Sequence, residues 1–135
     1  GALGKKLIVK VCDLMYSGNQ NAVVDINSSL QNAIIEMSSK GLSMVTVVNE
    51  KQELEGIITD GDLRRMLQKG IDVYHVLIKD VMTKHPKWID SREMAVNALQ
   101  QMSDMHITCM PVLDETHKVV GSILMQDIFK AGIIR

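Results

Sequence analysis

Thr59 and Asp62, three residues apart with Arg64 and Arg65 just beyond, are the residues of this 135-residue chain best placed to do chemistry. They lie in the stretch from Leu54 to Arg65, where an apolar, strand-like run through Gly56, Ile57 and Ile58 reaches a polar corner. A helix follows, whose first turn carries Leu63, Arg64 and Arg65. A helix start leaves backbone N–H groups unpaired and turns the positive end of its dipole outward, so it favours an anion, and two guanidinium groups strengthen that field. Thr59 supplies a hydroxyl to donate to a phosphate, and Asp62 a carboxylate to accept from sugar hydroxyls. The combination suits a nucleotide or a sugar phosphate. The competing expectation is that Asp60 or Asp62 only caps the helix.

The motif is one half of an internal repeat. Gly121 follows Gly56 by 65 positions (121 − 56), and Asp127 follows Asp62 by the same interval (127 − 62). Ala33 with Ala98, Met37 with Met102 and Val47 with Val112 share that spacing, while Asp13-Leu14-Met15 recurs as Asp80-Val81-Met82 at 67. Two copies of so long a period are too few for a solenoid, so two small packed domains are expected. The Thr59 position is Leu124 in the second copy, which keeps Asp127 but loses the phosphate donor. Asp127 therefore marks a second, weaker site.

The surrounding elements read as strand, helix, strand, strand, helix in each copy. In the first, Val23 to Ile26 is a strand, and the capping cluster Asn27-Ser28-Ser29 precedes a helix with Leu30, Ala33, Ile34 and Met37 at helical spacing, stopping at Lys40-Gly41. Ser43 to Val48 and Leu54 to Ile58 form a hairpin around Asn49 to Glu53. The next helix runs from Leu63 to Lys69 and closes at Gly70. In the second, strands are expected at Trp88-Ile89, Cys109 to Leu113 and Val119 to Leu124, with helices from Ser91 to Asp104 and from Gln126 to Ala131. The fold class is α/β, layered in the α+β manner. Residues 1–10 read as a junction, 11–70 and 79–135 as the two domains, and 71–78 as an apolar connector with Tyr74 packed between the halves.

A net charge of −1 offers no footprint for nucleic acid or an anionic membrane. No apolar run approaches the roughly 18 residues of a membrane span. Cys12 and Cys109, with no secretory leader, point to free thiols in the cytoplasm. One Trp, one Phe and ten Met imply a core of aliphatic and thioether side chains, Met37, Met102 and Met105 among them.

The order of elements, the Asp-x-Met openings and the closing Gly-Ile-Ile-Thr-Asp-Gly-Asp-Leu-Arg of the first copy resemble a tandem pair of CBS domains, packed with pseudo-twofold symmetry. The resemblance covers essentially the whole chain. It implies that Thr59 and Asp62 hold the ribose and phosphate of an adenosine nucleotide, with Thr83, His85, Pro86, Ile107, Thr108, Cys109 and Pro111 around the base and phosphates. Gly1 to Leu7, Thr59 to Arg65 and Asp127 to Gly132 further resemble the C-terminal region of the bacterial D-arabinose 5-phosphate isomerase family. That family joins a sugar isomerase domain to a CBS pair and feeds synthesis of the Kdo sugar of lipopolysaccharide. The isomerase domain has no counterpart in this sequence, so the chain is not expected to be an enzyme by itself.

Asp60-Gly61-Asp62 invites a calcium reading, but Arg64 and Arg65 stand where further oxygen ligands are needed. His75, His85, His106 and His117 lack paired metal spacing, and no Ser/His/Asp or Cys/His nucleophile arrangement is present. Two functions remain: a regulatory module sensing an adenosine nucleotide or a cytidine nucleotide-sugar, without a required cofactor, and a structural module that dimerises the attached enzyme around a vestigial cleft. Phe129, Ile133 and Ile134 are expected on an apolar surface that makes a homo-oligomer.

Overall fold

The computed structural model describes residues 8–133. The chain divides into two compact units: a middle unit, Asn19–Pro86, and a terminal unit that joins the residues up to Gly18 with those from Lys87 onward. The repeats and the compact units thus differ, because each repeat's opening segment docks on the other repeat's hairpin.

The terminal unit opens with α1 (Val11–Leu14), and a 3-10 turn at Gly18–Gln20 leads into the middle unit. There follow β1 (Val23–Asp25), α2 (Leu30–Lys40), β2 (Met44–Val48), β3 (Leu54–Thr59), α3 (Asp60–Gln68), the short α4 (Ile78–Val81) and β4 (Thr83–Lys84). The sheet order is β1-β2-β3-β4, with β1 parallel to β2 and the other pairs antiparallel. Ser29 caps α2 by accepting from the Asn32 N–H, and Gly41 ends it at φ +66°, the left-handed stop that glycine enters without a Cβ penalty. Leu30, Ala33 and Met37 point from α2 into the core. Asn49 builds the hairpin turn, its Oδ1 accepting from the backbone of Lys51 and Glu53.

The terminal unit continues with β5 (Ile89–Asp90), α5 (Ala95–Met105), β6 (Cys109–Leu113), β7 (Val119–Leu124) and α6 (Met125–Lys130), in sheet order β5-β6-β7. Its core gathers Val11, Ala98, Leu99, Met102, Met110, Ile123 and Ile128, with Met105 packed against it. Ile133, expected on an exposed apolar surface, is fully buried here. Gly1 to Leu7 and Ile134 lie outside the described residues.

Three sequence expectations shift. Helix α3 starts at Asp60 rather than Leu63, because Thr59 and Asp62 cap it. Helix α5 starts at Ala95 rather than Ser91, because the Asp90 carboxylate accepts from the Arg92 N–H and folds the intervening residues into a turn. Tyr74 is 71% exposed rather than packed. Its N–H bonds to Asp72 in a local turn that also holds His75.

The central strand of the middle unit carries an orphan. Thr46 is fully buried, its N–H bonds to Ala22, and its Oγ1 has no hydrogen-bond partner. Pro111 holds the equivalent position in β6, where no donor is available. A buried hydroxyl without a partner costs about 1–3 kcal/mol. Thr46→Val, which replaces the hydroxyl by a methyl of nearly the same volume, is therefore expected to stabilise the chain by about 1 kcal/mol or more, read as a higher urea midpoint at unchanged m. A variant less stable than the parent would show that the hydroxyl is satisfied.

Candidate functional site

The corner between β3 and α3 is built by reciprocal capping. Thr59, in extended geometry opposite Met44, accepts the Asp62 N–H on its Oγ1 at 3.2 Å, and Asp62 Oδ2 accepts the Thr59 N–H at 2.9 Å. Capping by Asp60 or Asp62 is the expected alternative to ligand binding; Asp62 does cap, with Thr59 as its reciprocal partner. It still leaves chemistry free. A hydroxyl that accepts one bond retains its proton to donate, and a carboxylate has about four acceptor positions. Asp62 uses one on Thr59 and a second on Arg65, whose Nη2 lies 2.7 Å from Oδ1. The Asp62 side chain is 17% exposed and that of Arg65 58%, so the carboxylate is held and the guanidinium can swing.

Gly61 lets Arg65 fold back. A Cβ on Gly61 would stand 3.3 Å from the guanidinium nitrogens. Arg64 is exposed on the same turn. Beside them a pocket of about 230 Å³ is lined by Asp62, Arg65, Met66, Lys69, Ile71, Asp80 and Val81. Small-molecule sites usually start near 300 Å³, so this pocket by itself is smaller than a typical ligand site. Asp62, Arg65, Met66 and Lys69 share one flank of α3 by their i, i+3, i+4, i+7 spacing. Lys69 and Asp80 belong to the setting of the site although the motif alone does not single them out; helical spacing would have found the lysine.

Thr83, His85 and Pro86 belong to the same unit. Thr83 pairs with Ile57 and is exposed; by register its side chain shares the sheet face of Ile57 and Thr59. His85 stands at φ +51° and is exposed, while Pro86 is buried. Ile107, Thr108, Cys109 and Pro111 fall in the terminal unit. Ile107 packs on its core, the Thr108 carbonyl accepts from Met125, Cys109 is buried opposite Leu124, and Pro111 sits opposite Ser122. His106, one of the histidines without metal-ligand spacing, is the C-cap of α5 at φ +58°, where the first repeat has Gly41.

The counterpart corner is built differently. Leu124 gives α6 no side-chain cap. Tyr16 hydrogen-bonds to the Asp127 carboxylate, whose Oδ2 is buried without a partner. Burial first, and then the neighbouring carboxylate, push the Tyr16 phenol above its ordinary range. Among the described residues, no cluster of three or more His, Cys, Asp or Glu could hold a metal, and no helix is long and apolar enough to cross a membrane.

The CBS domain model matches residues 11–69 and 78–133. The arabinose 5-phosphate isomerase KdsD of Pseudomonas aeruginosa is 43% identical over 134 residues, 99% of this chain but 41% of the relative. The KdsD of Escherichia coli K12 is 39% identical over 134 residues, again 99% of this chain and 40% of the relative. The chain thus spans about two fifths of the length of these curated relatives. Among solved structures, the CBS domain protein PAE2072 from Pyrobaculum aerophilum, complexed with AMP, shares the fold with a TM-score of 0.80 at 11% identity, over 89% of this chain and 90% of that one.

Proposed function

Because the chain belongs to the CBS domain family, whose model matches it twice, we propose that it is a cytoplasmic regulatory module that senses a nucleotide through Thr59 and Asp62 and adjusts an arabinose 5-phosphate isomerase of Kdo synthesis. The ligand is an adenosine nucleotide, with a cytidine nucleotide-sugar as the end-product alternative, and catalysis belongs to the rest of such an enzyme. One observation carries the reading: in the middle unit a hydroxyl with a free proton and a carboxylate with unused acceptor positions stand locked three residues apart at the start of a nine-residue helix. The hydroxyl suits a phosphate oxygen and the carboxylate a ribose diol. The guanidinium groups of Arg64 and Arg65 stand on α3 just beyond that corner, and Lys69 lines the adjoining pocket, so an anion arriving there meets positive charge. The AMP bound by the PAE2072 structure supplies the first probe.

A thermal-shift and calorimetric screen of AMP, S-adenosylmethionine and a cytidine nucleotide-sugar tests this. A ligand at about 100 times its dissociation constant adds about 2.7 kcal/mol to the folded state. No shift with any of them at millimolar concentration would remove the sensing function. The exposed apolar side chains Ile35, Leu67, Leu77 and Phe129 would then favour the structural reading, a homodimerising module, which light scattering reads as twice the chain mass.

A further inference from the structure

The two units repeat one strand pairing with different residues in it. In the middle unit Met82 packs on Gly56 and Thr83 pairs with Ile57; in the terminal unit Met15 packs on Gly121 and Tyr16 pairs with Ser122. Tyr16 and Thr83 stand 67 positions apart (83 − 16), the interval of the opening segments, so they are counterparts in sequence and in the sheet. The Tyr16 pairing is tight, with its N–H donating to Ser122 at 2.9 Å and its carbonyl accepting from Ser122 at 3.0 Å. Directly opposite residues share a sheet face, and Leu124, two residues on, lies on that face too. A threonine there stops short. The tyrosine reaches on to Asp127 at the start of α6 and donates its phenol O–H in a hydrogen bond to the carboxylate, keeping its proton.

We propose that Tyr16 decides which of the two motif carboxylates is open to a sugar: its phenol occupies Asp127 where a ligand diol would bond, and so holds the terminal unit's site closed. This deepens the nucleotide reading above and rests on it. A neutral donor on a carboxylate forms one of the stronger protein hydrogen bonds, so a ligand hydroxyl gains little by displacing it. The Asp127 carboxylate is nevertheless masked rather than spent, since its Oδ2 is buried with no donor. A diol that bonds both oxygens would satisfy what the single phenol leaves unpaired. Leu124 offers no hydroxyl to a phosphate, so the ligand class for this site is a nucleoside without its phosphate.

The test uses the 135-residue chain and adenosine as probe, in an Asp62→Ala background that silences the middle unit. Adding Tyr16→Thr, the counterpart residue, is expected to tighten adenosine binding at least tenfold by isothermal titration, and a further Asp127→Ala to abolish the gain. Tyr16→Phe keeps the ring and loses the hydroxyl; a smaller gain in this variant assigns part of the closure to bulk and is also expected. Urea unfolding of each variant checks that it is folded. If Tyr16→Thr and Tyr16→Phe are both folded and neither binds adenosine more tightly than Asp62→Ala alone, the proposal is overturned. AMP binding by the unmodified chain is read separately: its absence removes the nucleotide reading, while a gain at Asp127 on changing Tyr16 still upholds the closure.

Discussion

Asp62→Ala is expected to weaken nucleotide binding ten- to a hundredfold, while Asp127→Ala changes it little. A carboxylate accepting from ribose hydroxyls makes charge-assisted bonds worth about 1.5–3 kcal/mol, and their loss leaves the sugar hydroxyls without partners. The structure adds a second consequence at the same residue. Asp62 also accepts the Thr59 N–H and the Arg65 guanidinium, so its removal frays the start of α3 by about 1 kcal/mol, the worth of one such backbone bond. The Arg65 pair, more than half exposed on the arginine side, adds little. Asp62→Asn separates the two effects, because an amide oxygen still accepts from Thr59 but carries no charge for a diol. It should melt close to the parent and bind almost as poorly as the alanine variant. Thr59→Ala should lose both its cap, about 1 kcal/mol of stability, and its contact to phosphate. Asp127 starts from a different state, with Tyr16 already on it and Leu124 beside it. Calorimetry of the variants orders them. Loss of binding with Asp127→Ala, together with unchanged binding in Asp62→Ala, would assign the open site to the wrong repeat.

Gly56→Ala is expected to cost about 3 kcal/mol of stability, at the upper end of ordinary overpacking. A Cβ at Gly56 would stand 2.6 Å from Met82 Sδ and 2.7 Å from the Thr83 carbonyl oxygen. The thioether can turn away. The carbonyl cannot, because the pairs Gly56 with Lys84 and Ile57 with Thr83 hold β4 against β3, so the methyl group must prise the strands apart. Gly121 repeats the arrangement, with Met15 Sδ and the Tyr16 carbonyl each at 2.7 Å, and Gly121→Ala should cost a similar amount. Gly61→Ala is the control. Its Cβ would meet only the far end of the exposed Arg65 side chain at 3.3 Å, and its effect should stay within about 0.5 kcal/mol, as for other surface changes. Urea midpoints at constant m decide it. Equal stabilities for the Gly56 and Gly61 variants would mean that β4 yields freely and that the glycine is not there for space.

These two expectations draw on different levels of the chain. The 65-residue interval, the family resemblance and the motif at Thr59 and Asp62 stand in the sequence, because each depends on residue type and spacing within one repeat. The same holds for the hairpins: Cys109–Leu113 and Val119–Leu124 are read to the residue, since strand propensity and a polar turn between them are local signals. Helix starts are less legible. Thr59 and Asp90 can serve as strand ends, caps or ligands, and only the bonds they make in three dimensions choose among these. The partner of each opening segment is not legible at all. Asp13-Leu14-Met15 and Asp80-Val81-Met82 match each other in sequence, yet nothing in either says which hairpin it will join. That choice follows from where Met15 and Met82 find a glycine-floored slot and a free strand edge, and such docking is decided by burial summed over the folded chain. Tyr16 illustrates the limit. Its type is visible in the sequence, but its reach to Asp127, 111 positions away (127 − 16), exists only once the N-terminal segment has crossed to the second repeat's last strand.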